Sequence, residues 1–308
     1  MKQYGVLLLL ILAACAPTDE IRVGYLPVLV NLPLFVALEE GYFEKYNVNV
    51  EAVEAQSPNH IVEAIIAGHL DGAGILAFPI LFAAEEKYPG ALTLFATTDE
   101  TREQYVASIL VLNNSNITNI ADLKGKKIGV YTGLVQVLFL KSILTGMGFH
   151  EGDVEIVQIS PRLQLQGLTA GHYDALSTVE PFTTLARKHG AVVLVQNPRV
   201  RYIQEPFPSV ATPIATQFLT EHPEIAQNYV RAYSDAITFI NEHPERAKKH
   251  LAKYTPISEE VTQEVTLPKF NHYGEENRSN VQRYADWMHE HDLLKEPIDV
   301  HAMFGELS

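Results

Sequence analysis

The chain has 308 residues, of which 47% are hydrophobic and 19% are charged, with 17 prolines and a formal net charge of −14. This length predicts two lobes of roughly 100–150 residues each, because a single hydrophobic core rarely grows beyond about 250–300 residues. The composition excludes disordered and fibrous classes of protein. The acidic balance argues against nucleic acid as a partner, because no basic stripe is available to displace the counterions of a phosphate backbone.

The N-terminal segment has the pattern of a targeting signal. Lys2 precedes an unbroken apolar run at residues 6–12, which is too short to span a hydrocarbon core of about 30 Å as a helix. The run leads into Leu-Ala-Ala-Cys, which resembles the lipobox of bacterial lipoproteins, and Cys15 is the one cysteine of the chain. We therefore expect residues 1–14 to be a cleaved signal peptide, Cys15 to carry a lipid, and residues 15–20 to tether the lobes. The alternative is an ordinary cleaved signal with a buried free cysteine.

From residue 21 onward, short β-like runs alternate with helical patterns. Strands are predicted at residues 21–26, 48–53, 74–77, 127–131, 154–159, 175–179 and 192–195. Between them, one helix is predicted to begin near Asn31 and Pro33, and others to cover residues 61–67, 135–147, 163–170 and 181–189. Such alternation predicts an α/β protein with parallel sheets covered on both faces. From residue 216 the pattern is helical, at 224–242, 244–254, 258–265 and 275–291, and we assign these helices no chemistry.

One five-residue pattern occurs twice. Ala-Gly-His-x-Asp stands at residues 67–71 and again at 170–174, a separation of 174 − 71 = 103 positions. In both copies a predicted helix ends at a glycine able to adopt a positive φ, and the aspartate leads into a buried strand. Each strand then runs to a proline, Pro79 or Pro181, that opens the next helix. This shared context predicts two lobes of similar construction, the alternative being a chance match.

Five stretches together carry a family resemblance that covers residues 21–304 in order. They are IRVGYLPVLVNLPLFVALEEGYFEKYNVNVE, AGHLDGAGI, ADLKGKKIGVYTG, AGHYDALSTVEPF and HPEIAQNYVRAYSDAITFINEHPERA. The chain resembles the solute-binding proteins of ABC importers in the nitrate, sulfonate, taurine and thiamine-precursor group. The resemblance implies a two-lobe α/β fold, the periplasmic binding protein type II (Venus-flytrap) fold, with two hinge strands and a helical C-terminal region. It also implies a ligand held between lobes that close on it.

The resemblance further implies a domain division and a set of partners. Lobe I comprises residues 21–108 and 212–308 and lobe II residues 109–211, with the crossings near residues 106–112 and 209–213. The implied partners are a small-molecule ligand, the transmembrane subunit of an ABC permease with its ATPase, and the membrane, reached through the lipid anchor. The protein is then an extracytoplasmic, membrane-anchored monomer that binds no nucleic acid and needs no cofactor or metal.

Ligand contacts are expected at the carboxyl ends of strands in both lobes, where helix N-termini present free N–H groups. Lobe I then offers residues 27–31 and 76–78, and lobe II offers residues 132–134 and 178–180. The predicted ligand-binding residues are Asn31, Leu76, Phe78, Ser108, Thr132, Gly133, Thr178, Glu180 and Phe207. Every such loop also caps a helix, so each of these residues has a purely structural alternative.

Two of these residues bear on the ligand chemistry. Relatives that carry sulfonate or nitrate usually follow the glycine of this helix start with hydroxyl residues, whereas Gly133 is followed by two apolar residues. A carboxylate such as Glu180, about 4 Å from a ligand anion, costs about 4 kcal/mol at an effective dielectric constant near 20. The structural alternative for Glu180 is a helix-terminal acid that faces solvent.

We therefore expect a neutral or amino-bearing organic ligand, with an aminopyrimidine thiamine precursor favoured. The aromatic side chains in or beside the same loops are expected either to stack on a flat ring or to belong to the core; they are Tyr25, Phe78, Tyr131, Phe182 and Phe207. The alternative ligands are an alkanesulfonate, taurine or nitrate anion, and riboflavin.

Two other classes of protein remain as rivals. The same fold resembles pyrimidine synthases of thiamine biosynthesis, but their cysteine-rich iron motif has no counterpart in a chain with one cysteine. G-x-S-x-G, P-loop and H-E-x-x-H patterns are absent, and His289 and His291 fall on different faces of a predicted helix. A sensor ectodomain needs a following transmembrane helix, and no later window offers 18 uncharged apolar residues. We expect a binding protein and not an enzyme.

Overall fold

The computed structural model describes residues 20–160 and 163–305. The predicted signal peptide, Cys15 and the tether as far as residue 19 lie outside the described residues. The strands are β1 (Glu20–Tyr25), β2 (Asn49–Glu54), β3 (Gly72–Ala73), β4 (Leu76–Ala77), β5 (Leu92–Glu100), β6 (Ala107–Leu112), β7 (Lys127–Tyr131), β8 (Glu155–Ile159), β9 (Ala175–Val179), β10 (Ala191–Gln196), β11 (Phe207–Ala215) and β12 (Lys269–Asn271).

The helices lie between and after these strands. They are α1 (Leu32–Glu39), α2 (Tyr42–Lys45), α3 (Pro58–Ile66), α4 (Phe78–Lys87), α5 (Leu134–Gly146), α6 (Gln164–Thr169), α7 (Phe182–Lys188), α8 (Pro198–Tyr202), α9 (Thr216–Glu221), α10 (Pro223–Glu242), α11 (Pro244–Ala247), α12 (Leu251–Tyr254), α13 (Glu259–Glu264), α14 (Arg278–Glu290) and α15 (Val300–Met303). Single 3-10 turns occur at Leu29–Asn31, Ile120–Leu123 and Lys248–His250.

The strands form two sheets of mixed direction. The first sheet has the order β12–β5–β11–β3–β1–β2, with β4 paired to β11, and the second has the order β10–β6–β9–β7–β8. β1 runs parallel to β2 and β3, and β7 runs parallel to β8 and β9. β11 and β12 pair antiparallel with β5, and β9 and β10 pair antiparallel with β6. The prediction of parallel sheets is therefore correct only for the strands that helices connect.

The chain passes between the two sheets twice. Residues 101–106 connect β5 to β6, and residues 197–206, which include α8, connect β10 to β11. The stretches predicted as crossings belong mostly to β6 and wholly to β11, so they are strands that flank the connections. Asn197 has a φ of 52° and donates its side-chain amide to the Thr101 carbonyl. The two connections are thus hydrogen-bonded to each other.

The repeated Ala-Gly-His-x-Asp pattern has the same geometry in both sheets. In each copy the glycine follows a helix, with a φ of 71° in the first and 72° in the second. The Asp71 carboxylate accepts a hydrogen bond from the Arg22 N–H, and the Asp174 carboxylate accepts one from the Lys127 N–H, both at 2.8 Å. The backbone N–H of each aspartate donates in return to the carbonyl of the same partner, again at 2.8 Å. Each aspartate therefore fixes the start of a strand, β1 or β7.

The C-terminal helices pack on the first sheet. Tyr229 and Tyr233 of α10 are fully buried, and Phe95 of β5 contacts both rings edge-on. The helices predicted at 224–242 and 275–291 correspond to α10 and α14, whereas the one predicted at 244–254 is divided by the 3-10 turn at Lys248–His250. Phe139 of α5 stacks on Trp287 of α14 with ring centroids 5.2 Å apart. This stack joins a helix of the second sheet to a helix of the first.

Candidate ligand-binding site

A cavity of about 880 Å³ lies between the two sheets. Loops and strands of the first sheet contribute residues 27–30, Ala77, Ser209 and Val210. The second sheet and its helices contribute Tyr131, Gln136, Ser160, residues 179–182 and Leu185. Val106 and Arg199 from the two connections, and residues 255–257 after α12, complete the wall. The volume is within the range of about 300–1,000 Å³ that is usual for small-molecule sites.

The side chain of Asn31 stabilises the loop after β1. Its side-chain amide donates to the Leu26 carbonyl at 2.9 Å, and the residue is fully buried. α1 begins at the next residue with a proline in its first turn, as predicted. Asn31 thus closes the loop that presents Val28 and Leu29 to the cavity.

The structure places the predicted ligand-binding residues in three environments, and all of them are among the described residues. Glu180 lies on the cavity wall. Thr132 is exposed and Gly133 half-buried at the start of α5, where the Gly133 N–H donates to the Gln158 side chain at 2.9 Å. The others are buried, namely Asn31, Leu76, Phe78, Ser108, Thr178 and Phe207, and Thr178 also borders a small recess beside the cavity. The residues next to several of these line the wall instead, because successive side chains of a strand point to opposite faces.

The aromatic residues divide between core and cavity. Phe78 packs on Phe82 with centroids 5.4 Å apart, and Phe207 packs on Tyr284 with centroids 5.2 Å apart. Tyr25 is likewise buried, in an edge contact with Phe35. Tyr131 and Phe182 both line the cavity, where their rings meet edge-to-face with centroids 6.2 Å apart. These two rings are the ones available to stack on a flat ligand.

Glu180 is a buried carboxylate at the start of α7, only 8% exposed. Its oxygens accept hydrogen bonds from the Thr184 N–H at 3.1 Å and the Thr184 hydroxyl at 3.0 Å. Burial raises the pKa of Glu180, and the bonds from Thr184 and the charge of Arg187 oppose that rise. The residue therefore caps its own helix, as the structural alternative states, but it does so away from bulk solvent.

Among the described residues that line the cavity, Arg199 is the one with a cationic side chain. Its guanidinium pairs with Glu100 at 3.0 Å, and the Glu100 side chain is fully buried. Glu100 also accepts hydrogen bonds from the Val106 N–H at 3.3 Å and the Ser209 hydroxyl at 3.4 Å. The guanidinium lies over the Phe207 ring, 5.3 Å from its centroid. This pair carries no net charge and sits where the two connections meet the cavity.

Sequence reasoning missed Arg199 and Glu100. Glu100 ends β5, a strand that was not predicted, and Arg199 stands in a connecting segment after a proline. The two residues are 99 positions apart in sequence, so no local sequence pattern indicates that they pair. Residues 255–257 were missed for another reason, because they follow helices to which no chemistry was assigned.

Ion pairs join α7 to α13 near the cavity. The Lys188 ammonium lies 2.8 Å from Glu260 and 2.6 Å from Glu264. Its partners raise the pKa of Lys188, and Lys188 in turn lowers the pKa of Glu260. We call Lys188, Glu260 and Glu264 the clasp. It is a second contact, beside the Phe139–Trp287 stack, between helices that belong to different sheets.

Other features of the described residues have structural explanations. A space of about 480 Å³ adjoins Arg22 and Asp71, whose side chains already pair with each other at 2.9 Å. Residues 20–160 and 163–305 contain no group of three or more His, Asp or Glu side chains placed to hold a metal ion. His289 and His291 each direct Nδ1 to a backbone carbonyl. Within the same described ranges, no helix combines the length and apolarity needed to cross a bilayer.

Comparison with known proteins places the chain in a family. A family model described as NMT1/THI5 like matches residues 30–247, which is more than half of the chain. The chain belongs to the NMT1/THI5-like family. The predicted family resemblance is therefore confirmed.

Curated relatives differ in what they are named for. A protein of Bacillus subtilis named for binding aliphatic sulfonates is 29% identical over 223 residues, which are 71% of this chain and 64% of that protein. A protein of Haemophilus influenzae named for thiamine biosynthesis is 29% identical over 46% of this chain and 44% of its own length. The 4-amino-5-hydroxymethyl-2-methylpyrimidine phosphate synthase of Schizosaccharomyces pombe is 26% identical over 42% of this chain and 35% of its own. This chain thus spans less than two thirds of each of these relatives.

Solved structures confirm the fold. The periplasmic aliphatic sulphonate binding protein SsuA of Escherichia coli superimposes with a TM-score of 0.77 at 19% identity, covering 94% of this chain and 93% of that one. The two-lobe α/β fold of a periplasmic binding protein, predicted from the sequence, is therefore correct. At this level of identity the likeness concerns architecture and not ligand.

Proposed function

We propose that this protein is the extracytoplasmic solute-binding component of an ABC importer, which captures a small organic molecule between two lobes and delivers it to the permease. The observation that carries the proposal is the cavity of about 880 Å³, whose wall comes from both sheets and from both connections between them. Membership of the NMT1/THI5-like family and the fold shared with a periplasmic binding protein support it. The predicted division gives lobe I residues 21–108 and 212–308 and lobe II residues 109–211. With lobe I built on the first sheet and lobe II on the second, the boundaries fall instead in the two connections, at residues 101–106 and 197–206.

The cavity wall favours an uncharged or amino-bearing ligand. Most of its side chains are apolar, among them Val28, Leu29, Phe182 and Ile257. Its cation, Arg199, is already neutralised by Glu100, and Glu180 adds a buried carboxylate. A monovalent anion in this space meets no excess of positive charge from the side chains that line it, and its burial without a counter-charge is costly.

An aminopyrimidine thiamine precursor fits these conditions best. Its ring has a π-face for the Tyr131–Phe182 pair, and its amino group provides N–H donors for the Glu180 carboxylate. The relative named for thiamine biosynthesis supports this choice. The second candidate is an alkanesulfonate, which the names of the Bacillus subtilis relative and the Escherichia coli structure favour. Taurine, nitrate and riboflavin are further candidates from the sequence.

We assign the protein no catalytic role. The iron motif of the pyrimidine synthases that the sequence resembles is rich in cysteine, and this chain has one cysteine, Cys15. The periplasmic protein with the same fold is named as a binding protein. If the purified protein converted a bound ligand into another compound, this assignment would be contradicted.

Membrane attachment through lipidated Cys15 is part of the proposal. A monomer held in this way keeps the cavity near the permease through its lipid. The partners proposed are therefore the ligand, the transmembrane subunit with its ATPase, and the membrane surface reached through the lipid.

A thermal-shift panel tests the proposed ligand class. The panel contains 4-amino-5-hydroxymethyl-2-methylpyrimidine, riboflavin, an alkanesulfonate, taurine and nitrate, each added to purified protein. A ligand that binds the folded state alone stabilises it by about 2.7 kcal/mol at a hundredfold excess over Kd, which raises Tm by several degrees. We expect that shift with the aminopyrimidine. A shift with sulfonate, taurine or nitrate alone would overturn the ligand assignment.

A further inference from the structure

A recess of about 20 Å³ lies beside the cavity, bordered by Ala107, Ser177 and Thr178. Tyr131, Gln136 and Arg199 line both spaces, so the two meet at these side chains. A volume of about 10–15 Å³ is enough for one water molecule, so the recess admits a water or one or two atoms of a ligand. The recess is itself lined mainly by apolar side chains, and its polar members are Tyr131, Gln136, Ser177, Thr178 and Arg199.

The polar groups around the recess differ in whether they can donate or accept a hydrogen bond. The Thr178 hydroxyl donates its proton to Gln164 Oε1 at 2.7 Å and is also hydrogen-bonded to the Tyr131 hydroxyl, so the Thr178 oxygen keeps one lone pair as an acceptor. Arg199 is a donor only, and its ion pair with Glu100 occupies part of its five N–H groups. Gln136 is half-buried and carries both an amide donor and an amide acceptor. Donor and acceptor capacity therefore converge on a space large enough for one small group.

We propose that this recess recognises a single hydroxyl group of the ligand, and that Gln136, Thr178 and Arg199 determine specificity for it. The inference rests on the proposed function, because it takes the cavity as the ligand site. The ligand hydroxyl accepts a hydrogen bond from Arg199 or Gln136 and donates its own proton to the Thr178 oxygen. In the free protein a water satisfies the same groups, and the hydroxyl replaces it with equivalent hydrogen bonds.

Other substituents match the recess less well. A sulfonate group carries three oxygens around sulfur and exceeds the volume available. A methyl group fits in size but leaves the polar atoms of the recess unpaired, and an unpaired buried polar group is unfavourable. The structure therefore assigns to this site a flat heterocycle with one hydroxymethyl-sized polar substituent.

A matched pair of ligands tests the assignment. The probes are 4-amino-5-hydroxymethyl-2-methylpyrimidine and 4-amino-2,5-dimethylpyrimidine, which differ by one oxygen atom, and Kd is measured by calorimetry. We expect wild-type protein to prefer the hydroxymethyl compound by about 10–100-fold, the range expected when buried polar groups lose their partner. Gln136→Leu and Thr178→Val should each reduce this preference about tenfold or more, because the apolar side chain no longer pairs with the ligand hydroxyl and no longer leaves a polar atom unpaired beside the methyl group.

Controls separate recognition from folding. Gln166→Leu makes the same change at an exposed position of α6 outside both spaces and should keep the full preference. Thr178→Val also removes the donor to Gln164. The Gln136 side chain makes no hydrogen bond to another described residue, so Gln136→Leu decides the question if Thr178→Val unfolds early. Equal wild-type affinity for the two probes, or a preference that Gln136→Leu leaves intact, overturns the hydroxyl assignment and leaves the proposed transport role standing. Binding of neither probe overturns the aminopyrimidine class and the recess assignment together.

Discussion

The carboxylate of Glu180 combines burial with a position on the cavity wall. Because its pKa is raised in the folded protein, the folded state holds a proton at Glu180 more tightly than the unfolded state does. Between the unfolded pKa, near about 4.3, and the raised folded pKa, stability therefore falls as pH rises. Below both pKa values the carboxyl is protonated in both states, so no such loss exists.

We expect Glu180→Gln to remove this pH dependence and to weaken ligand binding. The free energy of unfolding of wild type relative to Glu180→Gln should decline as pH rises from about 4.3 through the raised pKa, and then stay level. Kd for 4-amino-5-hydroxymethyl-2-methylpyrimidine should rise about 10–100-fold, because a charge-assisted hydrogen bond contributes about 1.5–3 kcal/mol. Denaturant unfolding across pH and calorimetry at pH 7 measure the two effects.

A matched control for Glu180→Gln is available on the same lobe. Glu151 has a side chain that is 95% exposed, and its nearest cation, Lys141, is 3.8 Å away. Glu151→Gln should change neither the pH profile nor Kd. An unchanged Kd in Glu180→Gln would mean that Glu180 serves only as a helix cap.

Individual site residues were harder to predict than the loops that carry them. The predicted stretches 27–31, 76–78 and 178–180 each contribute residues to the cavity wall, because parallel strands end at one edge of a sheet. Residues 132–134 contribute none, although Tyr131 and Gln136 on either side of them do. Which residue of each loop reaches the wall depends on strand pleat and loop closure, and that is how Tyr131 and Gln136 take the place expected for Thr132 and Gly133. The position of Arg199 depends on its ion pair with Glu100, which is far away in sequence, so no local pattern predicted that Arg199 lines the cavity.

Whole elements show the same division between local and distant causes. α1, α10 and α14 follow from apolar periodicity and from proline or asparagine at their starts, all of which are local. β5 was missed because it is buried on both faces and shows no alternation of polar and apolar residues. β12 has three residues and exists because it pairs with β5. Edge strands of this kind are set by the sheet and not by their own sequence.

The clasp is the element-scale feature with a measurable consequence. α7 and α13 belong to different sheets, so the proposed opening of the lobes separates Lys188 from Glu260 and Glu264. The clasp then favours the closed, ligand-bound state. Since all three side chains are partly exposed, we expect Glu260→Gln combined with Glu264→Gln to raise Kd no more than about fivefold at low salt.

Salt distinguishes the clasp from a packing contact. The difference in Kd between wild type and the double variant should be present at about 20 mM NaCl and nearly absent at about 500 mM NaCl, because the ions screen exposed charges. Glu151→Gln again serves as the exposed control, with no expected change at either salt concentration. A Kd that is the same in wild type and double variant at low salt would show that the clasp does not contribute to closure.

At the scale of the whole molecule, two connections determine how the sheets can move. Residues 101–106 and 197–206 are joined by the Asn197–Thr101 hydrogen bond, and the Glu100–Arg199 pair lies beside them. A rotation of one sheet relative to the other thus pivots near the charged part of the cavity wall. We expect a ligand that contacts Glu180 of the second sheet and Val28 of the first to couple occupancy of the cavity to closure of the lobes.

We expect the proposed membrane attachment to be independent of ligand binding in the cavity. Residues 15–20 span at most about 20 Å at roughly 3.3–3.6 Å per residue, and the cavity wall begins at Pro27. We therefore expect Cys15→Ser to release the protein from the membrane fraction, or to misplace it, while Kd for the ligand stays unchanged. Cell fractionation with mass spectrometry of the N-terminal peptide measures the attachment, and calorimetry measures Kd.

A neighbouring change that keeps the thiol is the control: Ala16→Ser protein should remain membrane-bound and lipidated. Cys15→Ser protein that still sediments with membranes would show that the attachment does not depend on this cysteine.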